Sequence, residues 1–160
     1  MPQVWIDADA IPKKIKEVLW KAAWKRKLKM TFVANKWIET PKYASISVEI
    51  VPSGFDKADD RIVKAVKKGD LIITADIPLA ARCVELGGSI ITPRGRILDA
   101  NNILVALRAR DLNEEMRNAG YQTRGSKPMT AKDIQNFANA LDRWIQIQKR
   151  MSSVANNKNE

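Results

Sequence analysis

Two short apolar runs in this chain end in carboxylates. Val4-Trp5-Ile6 runs into Asp7-Ala8-Asp9, and Leu71-Ile72-Ile73-Thr74 runs into Ala75-Asp76. Each run has the length and composition of a buried strand, and each leads into a helical pattern. Acids at the C-terminal ends of parallel strands lie where open α/β sheets hold their ligands. The chain has no histidine and a single cysteine, Cys83. Chemistry at such an edge therefore falls to oxygen ligands. These suit a hard divalent cation, Mg²⁺ or Mn²⁺, and point to phosphate chemistry.

Asp56-Lys57-Ala58-Asp59-Asp60 supplies further acids, and helical phase divides them. Asp59 precedes Ile62, Val63 and Val66 by three, four and seven residues, so it shares their apolar face at a helix start. Asp60 precedes Lys64 and Lys67 at the same intervals and belongs to a solvated face. Asp56 is placed to be the N-cap. A carboxylate on an apolar face is costly unless it is solvated, capped or metal-bound. Asp7, Asp9, Asp59 and Asp76 are thus the expected metal ligands and catalytic residues, forming an acidic cup with water as the nucleophile. Two of them have a competing structural role: Asp9 could cap the helix beginning near Pro12, and Asp76 the helix beginning at Ile77-Pro78.

The elements that must position these acids alternate. Residues 3–7 read as a strand, and Pro12 to about Lys27 as a helix with the apolar stripe Ile15, Val18, Leu19, Ala22 and Ala23. Met30–Val33 is a strand, followed by a loop from Asn35 to Ala44 and a strand from Ile46 to Val51. A helix from Asp56 to Lys68 stops at Gly69. Residues 71–74 are a strand, 78–86 a helix ended by Gly87-Gly88, and 89–91 a last short strand. Helices are expected at about 100–109, 111–119 and Ala131 to Arg150. The last opens with the capping box Thr130-Ala131-Lys132-Asp133, and its stripe is Ile134, Phe137, Ala138, Leu141 and Ile145. Such alternation predicts a three-layer α/β/α sandwich with a mostly parallel sheet. Residues 1–150 are expected to form one domain, and 152–160 a disordered tail.

The 160 residues carry a net charge of +10. Between Lys13 and Lys29 there are eight Lys or Arg and one acid, Glu17. That asymmetry points to a polyanion such as RNA or DNA, and RNA is the partner expected of the reading as a whole. Trp20 and Trp24 lie nearly opposite the apolar stripe of the first helix, among Lys13, Lys16 and Lys27, and could stack bases. Alternatively they meet another subunit or lie beneath the loop at 35–43. Arg94 and Arg96, in the turn Thr92-Pro93-Arg94-Gly95-Arg96, could clamp phosphates. The basic loop Gln122–Pro128 has no assigned role. No apolar run approaches the ~20 residues that span a bilayer, and the first residues do not read as a signal peptide. A cytoplasmic protein that does not enter membranes is expected.

Asp-x-Asp after a strand resembles the entry motif of haloacid-dehalogenase-type phosphatases. In that group the late Asp pair follows the Thr-ended strand, whereas Asp59-Asp60 precedes Thr74. A closer resemblance is carried by WIDADAIPKKIKEVL, FVAN, VPSGFDKADDRIV, GDLIITADIPLAARCVELG, TPRGR and FANALDRW. Together these resemble the YaiI/YqxD family of bacterial proteins, from residue 4 to about 145. Ile11 stands where a cysteine is expected in that family, and the basic tail is longer; neither change touches the acids. The resemblance implies a PIN-like, Rossmann-like nuclease fold whose clustered aspartates bind Mg²⁺ or Mn²⁺. It carries the ligand role to Asp7, Asp9, Asp59 and Asp76. Fold likeness alone leaves other functions open: a catalytically silent nucleic-acid-binding protein, or a small-molecule phosphatase.

Overall fold

The computed structural model describes residues 2–54, 56–122 and 127–158. Its strands are β1 (Val4–Asp7), β2 (Met30–Ala34), β3 (Ile46–Ile50), β4 (Leu71–Ile73), β5 (Ser89–Ile91) and β6 (Ile97–Leu98). Its helices are α1 (Lys13–Arg26), α2 (Lys57–Ala65), α3 (Ile77–Glu85), α4 (Ile103–Asn118) and α5 (Ala131–Lys158), with a 3-10 turn at Ala8–Ala10. The strands form one sheet in the order β3-β2-β1-β4-β5-β6. All neighbours are parallel except β6, which runs antiparallel to β5.

Strands β1, β2 and β4 are buried at every position, as a parallel sheet covered on both faces requires. Alternate side chains feed two cores. Val4, Ile6, Met30 and Phe32 pack with Ile15 and Leu19 of α1 and with Phe137 and Leu141 of α5. Trp5, Val33 and Ile72 pack with Ile62 of α2, Leu79 and Cys83 of α3, and Ile103 and Ala106 of α4. The architecture is therefore the expected three-layer sandwich. Among the described residues no helix is long and apolar enough to cross a membrane.

The order places a switch point between β1 and β4. From β1 the chain proceeds through α1 to β2 on one side; from β4 it proceeds through α3 to β5 on the other. The connections diverge there and leave a crevice at the C-terminal strand ends. Asp7 and Thr74 stand on its two sides.

Several element bounds differ from the sequence reading. The two expected helices at 100–109 and 111–119 are a single α4, because neither glycine nor proline interrupts residues 103–118 and Asp111 costs an exposed helix only tenths of a kcal/mol. Helix α2 ends at Ala65, short of Lys68, and Val66 is extended. Helix α5 continues past Arg150 to Lys158, through part of the expected tail; residues 159–160 lie outside the described residues. Its capping box forms as read: Asp133 N–H donates to Thr130 Oγ1 at 3.1 Å, and Thr130 N–H to Asp133 Oδ2 at 3.0 Å.

Candidate metal and phosphate site

Asp7 ends β1 with its carboxylate buried. It accepts a hydrogen bond from the Thr74 hydroxyl at 2.9 Å. That hydroxyl in turn accepts the backbone N–H of Asp76 at 3.0 Å. Thr74 is 1% exposed, so it uses both hydrogen-bonding functions of its oxygen to tie the β1 end to the chain leaving β4. Asp76 then caps α3, accepting the Leu79 N–H at 3.1 Å. The capping role suggested for Asp76 is real, and it fixes the carboxylate beside the crevice.

Asp59 enters from the opposite direction, in the first turn of α2. Ala58 and Ile62 anchor that helix on the sheet, and the phase that buries them turns Asp59 partly inward. Burial pushes the Asp59 carboxyl up to about 7, helped by the charges of Asp76, Asp7 and Asp56 and by side-chain contact with Asp76. Burial also raises Asp7; the Thr74 hydrogen bond opposes this, while Asp76 and Asp9 reinforce it. Among the described residues no ion pair reaches Asp7, Asp59 or Asp76. Three acids that sense one another without a neutralising cation make a site that favours positive charge.

Asp9 is placed differently. It does not cap α1, whose N-cap position is Pro12. Its Oδ2 accepts the backbone N–H of Asn35 at 2.8 Å, just beyond β2. Asp7 feels its charge, but its carboxylate is engaged by the neighbouring strand. Asp56 occupies the N-cap position of α2 at φ 58° without a side-chain capping bond. Asp60 is a surface acid, as phase requires, although it pairs with Arg82 of α3 at 3.1 Å and not with Lys64.

Among the described residues no three His, Cys, Asp or Glu side chains are arranged to hold a metal ion between them. A closed protein cage does not fit this site. Mg²⁺ and Mn²⁺ have another mode, in which one or two carboxylates bind and water and phosphate oxygens complete the shell. The adjacent carboxylates of Asp59 and Asp76, with Asp7 behind them, fit that mode.

The basic residues divide. Lys13 and Lys16 occupy the first turn of α1, directly after the β1 end, and with Trp20 they line an open pocket of about 610 Å³ whose far wall is Ile38–Pro41. Lys27 ends α1 in a left-handed conformation, about 21 Å away along the helix at 1.5 Å per residue. It stands at the other end of the helix from Lys13 and apart from the β1 end. Trp20 is half-buried against the core, and its Nε1 has no partner. Trp24 is exposed, with its ring 5.0 Å from that of Tyr43. The β2–β3 crossover thus runs over this face of α1, fastened by Ser45 Oγ to the Ala23 carbonyl at 3.0 Å. The loop at 35–43, one of the alternatives the sequence left open, thus lies beside Trp20, while Trp24 remains exposed.

The β5–β6 turn does reach the crevice edge. Thr92, Pro93 and Arg94 line a cleft of about 240 Å³ with Ala10, Pro12 and Ala75. Arg94 is engaged by Asp133 at 2.7 Å and by the Lys127 carbonyl, so it braces α5. Arg96 is exposed. Of the basic loop Gln122–Pro128, residues 123–126 lie outside the described residues. Cys83 is buried, and burial pushes its thiol up to about 12, leaving it unsuited to act as a nucleophile.

Two polar residues that the sequence reading did not assign complete the frame. Thr74 is the hub just described; its signal was a hydroxyl closing an apolar run. Asp70, at the opposite sheet edge, accepts N–H groups from Gln3, Trp5 and Lys67 at 3.0, 3.2 and 3.0 Å. It ties the start of β4 to β1 and is structural.

Residues 5–147 match the family described as "Uncharacterized BCR, YaiI/YqxD family". The chain is 48% identical over 143 residues to a UPF0178 protein of Desulfotalea psychrophila, covering 89% of this chain and 97% of that one. It is 52% identical over 143 residues to one of Saccharophagus degradans, covering 89% and 95%. A third, from Pectobacterium atrosepticum, is 46% identical over 144 residues, covering 90% and 96%. No solved structure matches the chain.

Proposed function

We propose that this chain, which belongs to the YaiI/YqxD family, hydrolyses phosphodiester bonds in nucleic acid, with RNA the first substrate to test and Mg²⁺ or Mn²⁺ as cofactor. The observation that carries this reading is the trio Asp7, Asp59 and Asp76 at the β1–β4 switch point, unneutralised by any ion pair among the described residues. The PIN-like resemblance supports it, as does the start of lysine-rich α1 at the same sheet edge.

Asp59 and Asp76 would hold the cation, which when bound supplies an activated water and charge stabilisation at the scissile phosphate. Asp7, oriented by Thr74, stands behind them as an acceptor for a water's proton. Lys13 and Lys16 offer charge to flanking phosphates, and Arg96 is the exposed arginine of the β5–β6 turn. A protein nucleophile is unnecessary. The ribose 2′-hydroxyl takes no part either, so no 2′,3′-cyclic phosphate forms, and departure of the 3′-oxygen leaves a 5′-phosphate.

The arrangement of the acids favours one second reading. Because no three of the described acids converge to metal-binding geometry, a protein that binds nucleic acid without cutting it would also suit this frame. End-labelled RNA and single-stranded DNA, incubated with Mg²⁺, Mn²⁺ or chelator, separate the two. Hydrolysis requires metal-dependent cleavage that Asp59→Asn and Asp76→Asn each reduce by orders of magnitude. Metal-independent cleavage, or a 2′,3′-cyclic phosphate product, would overturn it. Binding without cleavage across both substrates and both metals would establish the second reading.

A further inference from the structure

Helix α4 carries two apolar stripes on opposite sides. Ile103 and Ala106 face the sheet and are buried. Val105, Ala109, Leu112 and Met116 form the other, spaced four, three and four residues apart, the repeat of a coiled-coil seam. Val105 is 65% exposed and Leu112 57% exposed. Every residue from Arg108 to Asn118 is exposed, so the second half of α4 stands clear of the body. A helical segment this short is marginal in water without a packed face, and its apolar seam faces solvent.

Charge selects the occupant. Residues 103–118 contain Arg108, Arg110 and Arg117 against Asp111, Glu114 and Glu115, a neutral balance in a chain of net charge +10. That composition does not suit a polyanion. The exposed apolar residues of α5, Ile147, Met151 and Val154, lie instead around Lys149 and Arg150 without an intervening acid, so two copies of that face would repel.

We propose that α4 is a self-association surface, pairing antiparallel with α4 of a second copy of this chain. In that register Val105 meets the partner's Met116, and Ala109 meets the partner's Leu112. Arg108 and Glu115 flank the seam on the same side, each directly before a seam residue, Ala109 and Met116. Antiparallel pairing sets Arg108 against the partner's Glu115 and repeats the pair across the two-fold axis. A parallel pairing would set Arg108 against the uncharged Asn113 of the other copy and leave Glu115 without a charged partner. Two short helices make a contact at the low end of stable interfaces, on the order of 1,000 Å², so a dimer in exchange with monomer is expected.

The test is sedimentation velocity on the full chain over a hundredfold concentration range, with circular dichroism and thermal melting as fold controls. Wild type should show a concentration-dependent dimer. Leu112→Glu should raise its dissociation constant about a hundredfold without changing the melt at concentrations where wild type is monomeric, since Leu112 is exposed in the monomer. Arg108→Glu and Glu115→Arg should each weaken it about tenfold, and the double reversal should restore it to within roughly threefold of wild type. A chain that stays monomeric at every concentration overturns the proposal. So does a dimer indifferent to Leu112→Glu, which would place the contact elsewhere, for instance on α5. Failure of the double reversal to rescue would overturn the antiparallel register. If the α4 variants lose RNA affinity in a strictly monomeric chain, the face serves nucleic acid and self-association is refuted.

Discussion

Replacing Asp59 by asparagine should stabilise the metal-free protein at alkaline pH. Asp59 has a folded-state pKa of about 7, against an ordinary value of 3.8. An acid whose pKa is raised by folding binds its proton more tightly in the folded state. Its favourable contribution is complete below about pH 3.8 and is lost as pH rises through 7. At pH 8 the folded chain must hold the charged form beside Asp76 and Asp7. At about 1.4 kcal/mol per pKa unit, the full shift would correspond to roughly 4 kcal/mol. Asp59 is only partly buried, and solvent screens much of that, leaving about 1–2 kcal/mol. Asparagine keeps the shape and removes the charge. In chelator at pH 8, Asp59→Asn should therefore melt about 2–8 °C above wild type, at 2–4 °C per kcal/mol for a domain of this size. Near pH 4, where wild-type Asp59 is protonated in the folded chain, the advantage should shrink towards zero.

Cation should reverse the ranking. Millimolar Mn²⁺ should raise the wild-type melting temperature at pH 8 and leave Asp59→Asn nearly unmoved, because any ligand of the folded state alone adds stability. Melting by differential scanning fluorimetry, in a grid of pH, chelator and Mn²⁺, measures all of this in one experiment. A variant no more stable than wild type at pH 8 in chelator would refute the reasoning that Asp59 is a strained charge. An advantage of equal size at pH 4 and pH 8 would assign the effect to packing, and the electrostatic account would fall.

Three other outcomes follow from the same geometry. Thr74→Val keeps volume but removes the hydroxyl that serves both Asp7 and the Asp76 N–H; chemical denaturation should show a loss of about 2 kcal/mol, and an unchanged midpoint would deny Thr74 its hub role. Lys13→Gln with Lys16→Gln should lower the slope of log affinity against log salt for single-stranded RNA by about 1.4, whereas Lys27→Gln, at the far end of α1, should leave that slope unchanged; an equal loss per lysine would mean that the nucleic-acid path runs the length of the helix. Gly95 sits at φ +87°, where an added Cβ would lie 2.5 Å from the Asn136 carbonyl carbon, so Gly95→Ala should cost about 2–4 kcal/mol by loosening the β5–β6 turn from α5; a neutral result would show that α5 is free to yield there.

What the sequence disclosed follows from which forces are periodic. Burial in strands and helices repeats at fixed intervals, so the sheet, the helix order and the difference between Asp59 and Asp60 were all legible from spacing. The division held because Ile62 fixes the rotation of α2, and one residue of phase separates a crevice acid from one paired with Arg82. Partners brought by the return path of the chain follow no such rule. Asp9 looked like a helix cap or a metal ligand, yet it holds the Asn35 N–H, a partner set by where β2 ends. Trp20 looked outward by phase, toward bases, another subunit or a covering loop, and the Ile38–Pro41 segment stands across a pocket from it. Helix α4 shows the same limit in the opposite sense. Its second apolar stripe is as periodic as its first, but no later part of the described chain returns to cover it. Periodicity records that a face must be buried; the structure shows whether this chain buries it. For Trp20 the chain supplies the cover. For Val105 and Leu112 it does not, and the flanking charges of Arg108 and Glu115 match only another copy laid in the opposite direction.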